Sequence, residues 1–132
     1  MNSSASEHAG PRVLIVEDET LVRMAAVDML EDAGFAVEAA GNARDAIAKF
    51  GGGSFAAAII DLGLPDRPGD QVAAELRAVR SDLPILIASG RSDAELQARF
   101  VGDARVALVG KPYSGAALLD ALSTLGVRPA TP

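Results

Sequence analysis

Short apolar runs alternate with longer amphipathic segments along the chain. Five of these runs are too short for a helix and contain many branched residues, which predicts buried strands over residues 12–17, 35–40, 55–60, 83–88 and 105–110. Apolar residues recur at helical spacing in the remaining segments, which predicts helices over residues 19–33, 42–50, 70–80, 92–100 and 114–126. Five consecutive strand–helix units predict an α/β fold, a doubly wound (βα)5 sandwich whose five-stranded parallel sheet carries helices on both faces.

The composition indicates a single domain. A length of 132 residues with 49% hydrophobic residues suits one core and leaves no room for a second folded output module, so we predict one domain over residues 11–126 with loose tails at 1–10 and 127–132. The chain has no cysteine and no apolar run of the ~20 residues that a membrane span needs, which favours a cytoplasmic protein. A net charge of −6 without a basic cluster argues against direct binding to nucleic acid.

Polar residues follow several of the predicted strands. Parallel α/β sheets bind ligands outside the carboxyl ends of their strands, so residues at these ends share one edge of the sheet. They are Glu17, Asp18 and Glu19 after the first strand, Asp61 after the third, Ser89 after the fourth and Lys111 after the fifth. The pattern therefore predicts a charged site at this edge.

Each of these residues also has an ordinary structural explanation. Aspartate and serine are frequent in turns, acids are favoured in the first turn of a helix, and most lysines are solvated surface residues. Placing Asp61 beside the acids of the first strand needs more, because neighbouring like charges disfavour joint ionisation. A divalent cation such as Mg²⁺ relieves this repulsion, with carboxylates, a backbone carbonyl and waters as ligands. Lys111, one of only two lysines, offers a compact positive charge to Asp61 or to a phosphoryl oxygen.

The ordered set of motifs resembles a response-regulator receiver domain of two-component signalling over residues 11–126. The segments that carry the resemblance are VLIVEDE with the acidic pair Glu17 and Asp18, IIDLGLPDRPGD with Asp61, PILIASG with Ser89, and GKPY with Lys111. The resemblance implies a flavodoxin-like fold, which agrees with the predicted order of strands and helices. It also implies a bacterial signalling protein rather than a conventional enzyme, here without an output domain of its own.

The resemblance implies a role for each acidic residue of the set. Asp61 would be the phosphoacceptor, which takes a phosphoryl group from a phosphohistidine of a histidine kinase or a histidine phosphotransfer protein. Asp18 and Asp61 would bind Mg²⁺ (or Mn²⁺), with Glu17 acting through water and the backbone carbonyl of Gly63 completing the ligands. The domain would thus assist its own metal-dependent phosphorylation and dephosphorylation.

Ser89 and Lys111 complete the machinery that the resemblance implies. They would hold phosphorylated Asp61 and couple it to the face formed by the predicted fourth helix, the fifth strand and the last helix, where a downstream protein would bind. The Lys111–Pro112 bond matches the position of a cis peptide in the family. The exposed face of the first helix would receive the kinase or phosphotransfer protein. The domain would work as a monomer or a phosphorylation-dependent dimer, or as a shuttle or sink in a phosphorelay.

Four positions bear on how the chain departs from the family. Leu108 replaces the usual switch aromatic three residues before the lysine, so the usual output coupling is in doubt. Tyr113, the only tyrosine, is favoured as an anchor for the start of the last helix and is also a candidate to take part in the switch. Gly63 and Arg91 occupy the two positions associated with the dephosphorylation rate. Because Gly63 has no side chain to orient a water and Arg91 can screen the phosphoryl group, we predict slow self-hydrolysis.

Three other classes of protein share parts of the pattern. An aspartate-nucleophile phosphatase of the haloacid dehalogenase type usually carries a second aspartate two residues after the nucleophile, where this chain has Gly63. A nucleotide or flavin carrier needs a glycine-rich phosphate loop after the first strand, where acids repel phosphate unless a metal intervenes. A degenerate receiver, acting only as a phosphorylation-independent interaction module, stays open because of Leu108.

Overall fold

The computed structural model describes residues 10–51, 53–90, 98, 100 and 102–129. Its elements, in chain order, are β1 (Arg12–Val16), α1 (Thr20–Ala33), β2 (Ala36–Ala40), α2 (Ala43–Gly51), β3 (Ala57–Asp61), α3 (Gly69–Val79), β4 (Ile85–Ser89), β5 (Val106–Gly110) and α4 (Gly115–Thr124). The predicted helix over residues 92–100 lies outside the described residues, except for residues 98 and 100.

The five strands form one parallel sheet in the order β2-β1-β3-β4-β5. The predicted fold class is confirmed, since this is the doubly wound α/β arrangement. β3 lies at the centre and is hydrogen-bonded to β1 on one side and β4 on the other. The order of strands reverses between β1 and β3, and sheets of this kind bind their ligands at that point, outside the carboxyl ends of the strands.

Helices cover both faces of the sheet because successive strand residues point to opposite sides. In β1, Leu14 and Val16 belong to the apolar cluster that includes residues of α2 and α3. Val13 and Ile15 belong to the cluster that includes residues of α1 and α4. All four side chains are buried, so β1 is apolar on both faces and reads as the continuous apolar run seen in the sequence.

Two strands begin two residues later than the apolar pattern predicts. β3 begins at Ala57 rather than at Phe55, whose ring stacks on Phe50 with 5.5 Å between the ring centroids. β4 begins at Ile85, directly after Pro84, which has no amide hydrogen to donate to a ladder. Both strands run up to and include the polar residue at their carboxyl end, so the sheet itself holds these two side chains in place.

Candidate functional site

Glu17 and Asp61 come from the two strands between which the strand order reverses. Asp61 is the last residue of β3, and Glu17 directly follows β1. The register pairs Val16 with Ile60, which brings the next residue of each strand to the same level of the sheet. Glu17 is 1% exposed and Asp61 is 4% exposed. Two carboxylates are therefore buried next to each other at the edge where ligands bind.

The ammonium group of Lys111 lies among three carboxylates. Its Nζ is 3.1 Å from Oδ2 of Asp61 and 3.1 Å from Oε1 of Glu17. Oε1 of Glu19 is 3.8 Å away from the same atom. The amide of Lys111 donates to the carbonyl of Ser89 at 2.9 Å, which continues the β4–β5 ladder by one residue. The lysine is thus directed to the acids by the sheet and not by a flexible loop.

The pKa values of Glu17 and Lys111 are both raised, for different reasons. Burial raises the pKa of Glu17 to about 7, and the charge of Asp61 adds to the rise while hydrogen bonds oppose it. Burial by itself would lower the pKa of Lys111, but its hydrogen bonds to Glu17 and Asp61 outweigh this and hold the pKa above its ordinary value. Lys111 therefore stays charged throughout the physiological range.

The acidic residues fit a divalent metal ion. One carboxylate oxygen each from Glu17, Asp18 and Asp61 lies within 4.8 Å of the other two. Oε1 of Glu17 is buried and makes no hydrogen bond, although it is in ion-pair contact with Lys111. A buried carboxylate oxygen without a hydrogen bond is costly unless a cation approaches it. Carboxylate oxygens are hard ligands, and one of them, Oε1 of Glu17, still lacks a hydrogen bond. Such a set suits Mg²⁺ or Mn²⁺.

Arg23, which the sequence analysis did not select, holds the acidic loop after β1. Its Nη1 donates to the carbonyl of Glu17 at 2.7 Å and to that of Asp18 at 3.4 Å. The amide of Glu19 donates to Oε2 of Glu17 at 3.1 Å, which closes the loop on its other side. These bonds fix the backbone from which the acidic side chains project. The sequence carries little signal for this role, because an arginine on a partly exposed helix is common.

Gly63 and Gly69 shape the chain after the phosphoacceptor candidate. The amide of Gly63 donates to Oδ1 of Asp61 at 3.0 Å, and the amide of Gly69 donates to the carbonyl of Leu62 at 3.0 Å. A Cβ at Gly69 would lie 2.4 Å from the carbonyl oxygen of Asp61, so only glycine fits there. Glycine as the first residue of a helix was the available signal, since it is a poor helix former and often marks a close approach.

Ser89 and the Lys111–Pro112 segment lie at the ends of the last two strands. Ser89 is 2% exposed, and the register pairs it with Gly110. It follows Ala88, which pairs with Asp61 across the β3–β4 ladder. The Lys111–Pro112 peptide bond is cis. All of the predicted strand-end residues described by the structure therefore lie at one edge of the sheet.

The remaining candidates lie around this centre. Leu108 is 45% exposed on β5, so a side chain of the edge strand reaches the surface where the family's switch aromatic was expected. Tyr113 is half-buried, and burial raises the pKa of its phenol to about 12, with the charge of Glu17 as the next cause. Arg91 lies outside the described residues.

Comparison with known proteins agrees with this fold. The family model of the response regulator receiver domain matches residues 13–123, and the chain belongs to this family. A crystal structure of a response regulator receiver protein from Sinorhizobium medicae is similar, with a TM-score of 0.78 and 28% identity over 87% of this chain and 93% of that one. The protein is thus a receiver domain of the kind found in the response regulators of two-component signalling.

Curated relatives carry the same domain within longer proteins. The transcriptional regulatory protein BasR of Escherichia coli is 34% identical over 80 residues, which are 61% of this chain and 36% of BasR. The sensor kinase CckA of Brucella abortus is 31% identical over 104 residues, which are 77% of this chain and 11% of CckA. The chain therefore spans about a third of the first relative and about a ninth of the second. Within the described residues, no helix is long and apolar enough to cross a membrane.

Proposed function

We propose that Asp61 is the phosphoacceptor through which this receiver domain passes a signal. The observation that carries the proposal is the position of its carboxylate, buried at the end of the central strand and 3.1 Å from the ammonium of Lys111. One carboxylate oxygen attacks phosphorus, the P–N bond of a phosphohistidine breaks, and the imidazole leaves with the electron pair of that bond. The product is an acyl phosphate on Asp61, formed by carboxylate nucleophilic catalysis.

The acidic residues and Lys111 would supply the charge that this transfer needs. Asp18 and Asp61 would hold Mg²⁺ (or Mn²⁺), with Glu17 acting through water and the carbonyl of Gly63 as a further ligand. The metal, when bound, neutralises charge on the phosphoryl oxygens. Lys111 does the same as a fixed positive charge, because its pKa is raised and it remains protonated. The amide of Gly63 donates to Oδ1 of Asp61, and this hydrogen bond fixes the orientation of the carboxylate.

Ser89 and Lys111 would hold the phosphorylated state and pass it on. Ser89 is buried at the end of β4, one residue beyond the partner of Asp61 in the ladder, where its hydroxyl can donate to a phosphoryl oxygen. Lys111 begins the segment that leads into α4. The face of β5 and α4, with the predicted helix over residues 92–100, is the proposed site for a downstream protein.

The proposed phosphodonor is a histidine kinase or a histidine phosphotransfer protein that docks beside α1. A groove of about 520 Å³ runs between α1 and the Lys111–Tyr113 segment, and its rim includes Glu19 and Lys111 of the site. Leu21 on α1 is 82% exposed and Met24 is 57% exposed. Exposed large apolar side chains of this kind beside a reactive centre are typical of protein docking surfaces.

Slow loss of the phosphoryl group is part of the proposal. Gly63 offers no side chain to orient an attacking water, although a Cβ there would meet only Oδ1 of Asp61, at an ordinary 3.7 Å. Replacing Gly63→Asn would therefore place an amide beside the acyl phosphate without a clash, and we expect the half-life of the phosphoprotein to shorten. An unchanged or longer half-life in this variant, or rapid loss of phosphate from the native protein, would contradict the proposal.

A phosphorylation-independent interaction module is the alternative function. It is favoured by one observation, the exposed Leu108 on β5 in place of a switch aromatic. Such a domain would bind its target equally well before and after treatment with a phosphodonor. The site residues argue for the phosphoacceptor, because Oε1 of Glu17 makes no hydrogen bond within the described residues and so offers a ligand atom to a metal ion.

The deciding experiment is labelling with acetyl phosphate, with and without Mg²⁺, followed by measurement of the intact mass. We expect one added phosphoryl group in the presence of Mg²⁺ and none after Asp61→Asn. An adduct that persists in Asp61→Asn would assign the phosphoryl group to another residue. If no adduct forms, Mg²⁺ titration separates two cases: a site that binds the metal points to a domain that accepts phosphate only from its protein donor, and a site that does not bind it favours the interaction module.

A further inference from the structure

The loop between β3 and α3 is attached to a helix on the far side of the phosphoacceptor candidate. Asp66 lies in this loop, at residues 62–68, and its two carboxylate oxygens accept from the start of α2. Oδ1 accepts from the amide of Ala43 at 2.8 Å, and Oδ2 accepts from the amide of Arg44 at 3.0 Å. One side chain therefore joins the segment that follows Asp61 to a separate element of the fold.

Asp66 completes the capping of α2. A helix leaves its first four amide groups without partners inside the helix. Asn42, the residue before the helix, serves one of these, because its side chain accepts from the amide of Asp45 at 2.8 Å, and its carbonyl accepts the first bond within the helix from the amide of Ala46 at 3.2 Å. Asp66 serves two more, the amides of Ala43 and Arg44, from more than twenty residues away. The hydrogen bond from Ala43 is the main reason why the pKa of Asp66 is lowered, so its carboxylate is charged.

The other contacts of the loop fix its two ends and the side that faces the core. At the first end, the Gly63 amide donates to Oδ1 of Asp61. At the second end, the Gly69 amide donates to the carbonyl of Leu62 and closes the loop. Leu64 packs into the apolar core and is 8% exposed. Arg67 pairs with Glu75 of α3 at the exposed surface. Asp66 is the residue through which the outer part of the loop is fixed to α2.

We propose that Asp66 is a positioning residue for the phosphoryl-transfer site. By fixing the loop to the first turn of α2, it sets where the backbone of Gly63 lies, and with it the amide that orients Asp61 and the carbonyl offered to the metal. The proposal rests on the proposed function of Asp61. It differs from a purely structural cap, which would stabilise α2 without any effect on the site.

Three variants separate positioning from capping and from charge. Asp66→Ala removes both acceptors and the charge. Asp66→Asn removes the charge and one of the two acceptors, and it keeps one oxygen that can accept from one of the two amides. Asn42→Ala is the matched control, because it removes a cap from the same helix end while leaving the loop untouched. For each protein the dissociation constant for Mg²⁺ is measured by calorimetry, the Gly63 amide shift by NMR, and the melting temperature by circular dichroism.

We expect Asp66→Ala to weaken Mg²⁺ binding by roughly tenfold, the lower end of the loss that removal of a group supporting metal ligands causes. The Gly63 amide signal should move in the same variant. Asp66→Asn should keep most of the affinity, and Asn42→Ala should lower the melting temperature while leaving the affinity and the Gly63 signal unchanged.

Several results would overturn the proposal. Equal losses in Asp66→Asn and Asp66→Ala would show that a retained hydrogen bond to α2 does not preserve the site. Equal losses in Asn42→Ala and Asp66→Ala would assign it to the stability of α2, and native affinity in Asp66→Ala would exclude any role at the site. Acetyl phosphate labelling of the native protein is tested separately. If that labelling fails and the native site also binds no Mg²⁺, the proposed function falls, whereas the Gly63 signal still decides whether Asp66 positions the loop.

Discussion

Lys111 shows how a single side chain sets the character of the site. Its ammonium is the one cation within ion-pair distance of Glu17, Glu19 and Asp61 among the described residues. It stabilises the carboxylates before a metal arrives, and it also repels that metal. Removal of Lys111 should therefore strengthen Mg²⁺ binding and slow the proposed phosphoryl transfer.

We predict that Lys111→Ala binds Mg²⁺ roughly tenfold more tightly than the native protein, because a nearby positive charge has been removed in a partly buried site. The same variant should be labelled more slowly by acetyl phosphate, since the phosphoryl oxygens lose a neutralising charge. Lys111→Arg, which keeps the charge, should bind Mg²⁺ with near-native affinity. Lys49→Ala removes the only other lysine and is the control for loss of a lysine outside the site. Weaker Mg²⁺ binding in Lys111→Ala would show that the lysine orders the acids rather than competing with the metal.

Tyr113 allows a direct test of burial beside the site, because it is the only tyrosine. Burial raises the pKa of its phenol to about 12, so at a pH of about 11 the folded protein should keep most of this proton while the unfolded chain has lost it. Since the folded state binds the extra proton, the contribution of Tyr113 to the free energy of unfolding falls as the pH rises from about 10 to about 12. The rise of tyrosinate absorbance with pH gives the pKa of Tyr113 in the folded protein. A midpoint near 10 in the folded protein would mean that the ring is solvated.

At the level of elements, the β3–α3 junction depends on a glycine and not on a cap. The residue before α3 is Pro68, which makes no side-chain cap bond, and Gly69 passes close to the backbone of Asp61. The helix can approach the end of β3 because its first residue has no side chain. This contact sets where α3 starts relative to the phosphoacceptor candidate.

We predict that Gly69→Ala destabilises the protein by about 1–3 kcal/mol, as an overpacked core position does, because the new Cβ would overlap the carbonyl oxygen of Asp61. Gly51→Ala is the matched control: it lies at the end of α2 with nothing within 4 Å of the new Cβ, and alanine is the better helix former. Chemical denaturation should show a loss for the first and no loss for the second. Equal stabilities would mean that the junction relaxes to admit a side chain.

The sequence predicts elements and strand-end residues better than it predicts what supports them. Apolar runs and their periodicity indicate the strands, and parallel strands necessarily bring Asp61 and Lys111 to one edge of the sheet. Arg23 and Asp66 escape such reasoning, because their partners are backbone groups brought close only by the folded chain. Asp66 stands in a proline- and glycine-rich turn, where an aspartate already has a local explanation. The first residues of β3 and β4 also differ from the prediction, because stacking of Phe55 and the lack of an amide hydrogen in Pro84 act against the apolar pattern.

On the scale of the whole molecule, the proposed reactive centre and the proposed docking surface adjoin each other. The groove beside α1 shares Glu19 and Lys111 with the site, so a protein bound there would reach Asp61 without a large movement. Other exposed apolar residues lie elsewhere, among them Val79 on α3, which is 73% exposed. This gives a matched pair of surface positions.

We predict that Leu21→Asp lowers phosphotransfer from a histidine kinase by roughly tenfold, as loss of a central docking contact does, while Val79→Asp leaves it unchanged. Each variant is mixed with a panel of purified, autophosphorylated kinases, and the transferred label is measured. Both variants should accept phosphate from acetyl phosphate at the native rate, because neither touches the site. Equal transfer to both variants would place kinase docking on another surface.

The position of β5 has a consequence for how the site comes apart. Asp61 belongs to β3, the central strand, which is paired on both sides, whereas Lys111 follows the edge strand β5, which is paired only with β4. Partial opening of a protein proceeds by units of unequal stability, and edge elements open at lower free energy than central ones. Native-state hydrogen exchange should therefore show β5 amides exchanging well before those of β1 and β3. In such a partly open molecule the proposed nucleophile, Asp61, keeps its place while Lys111, its positive partner, is released.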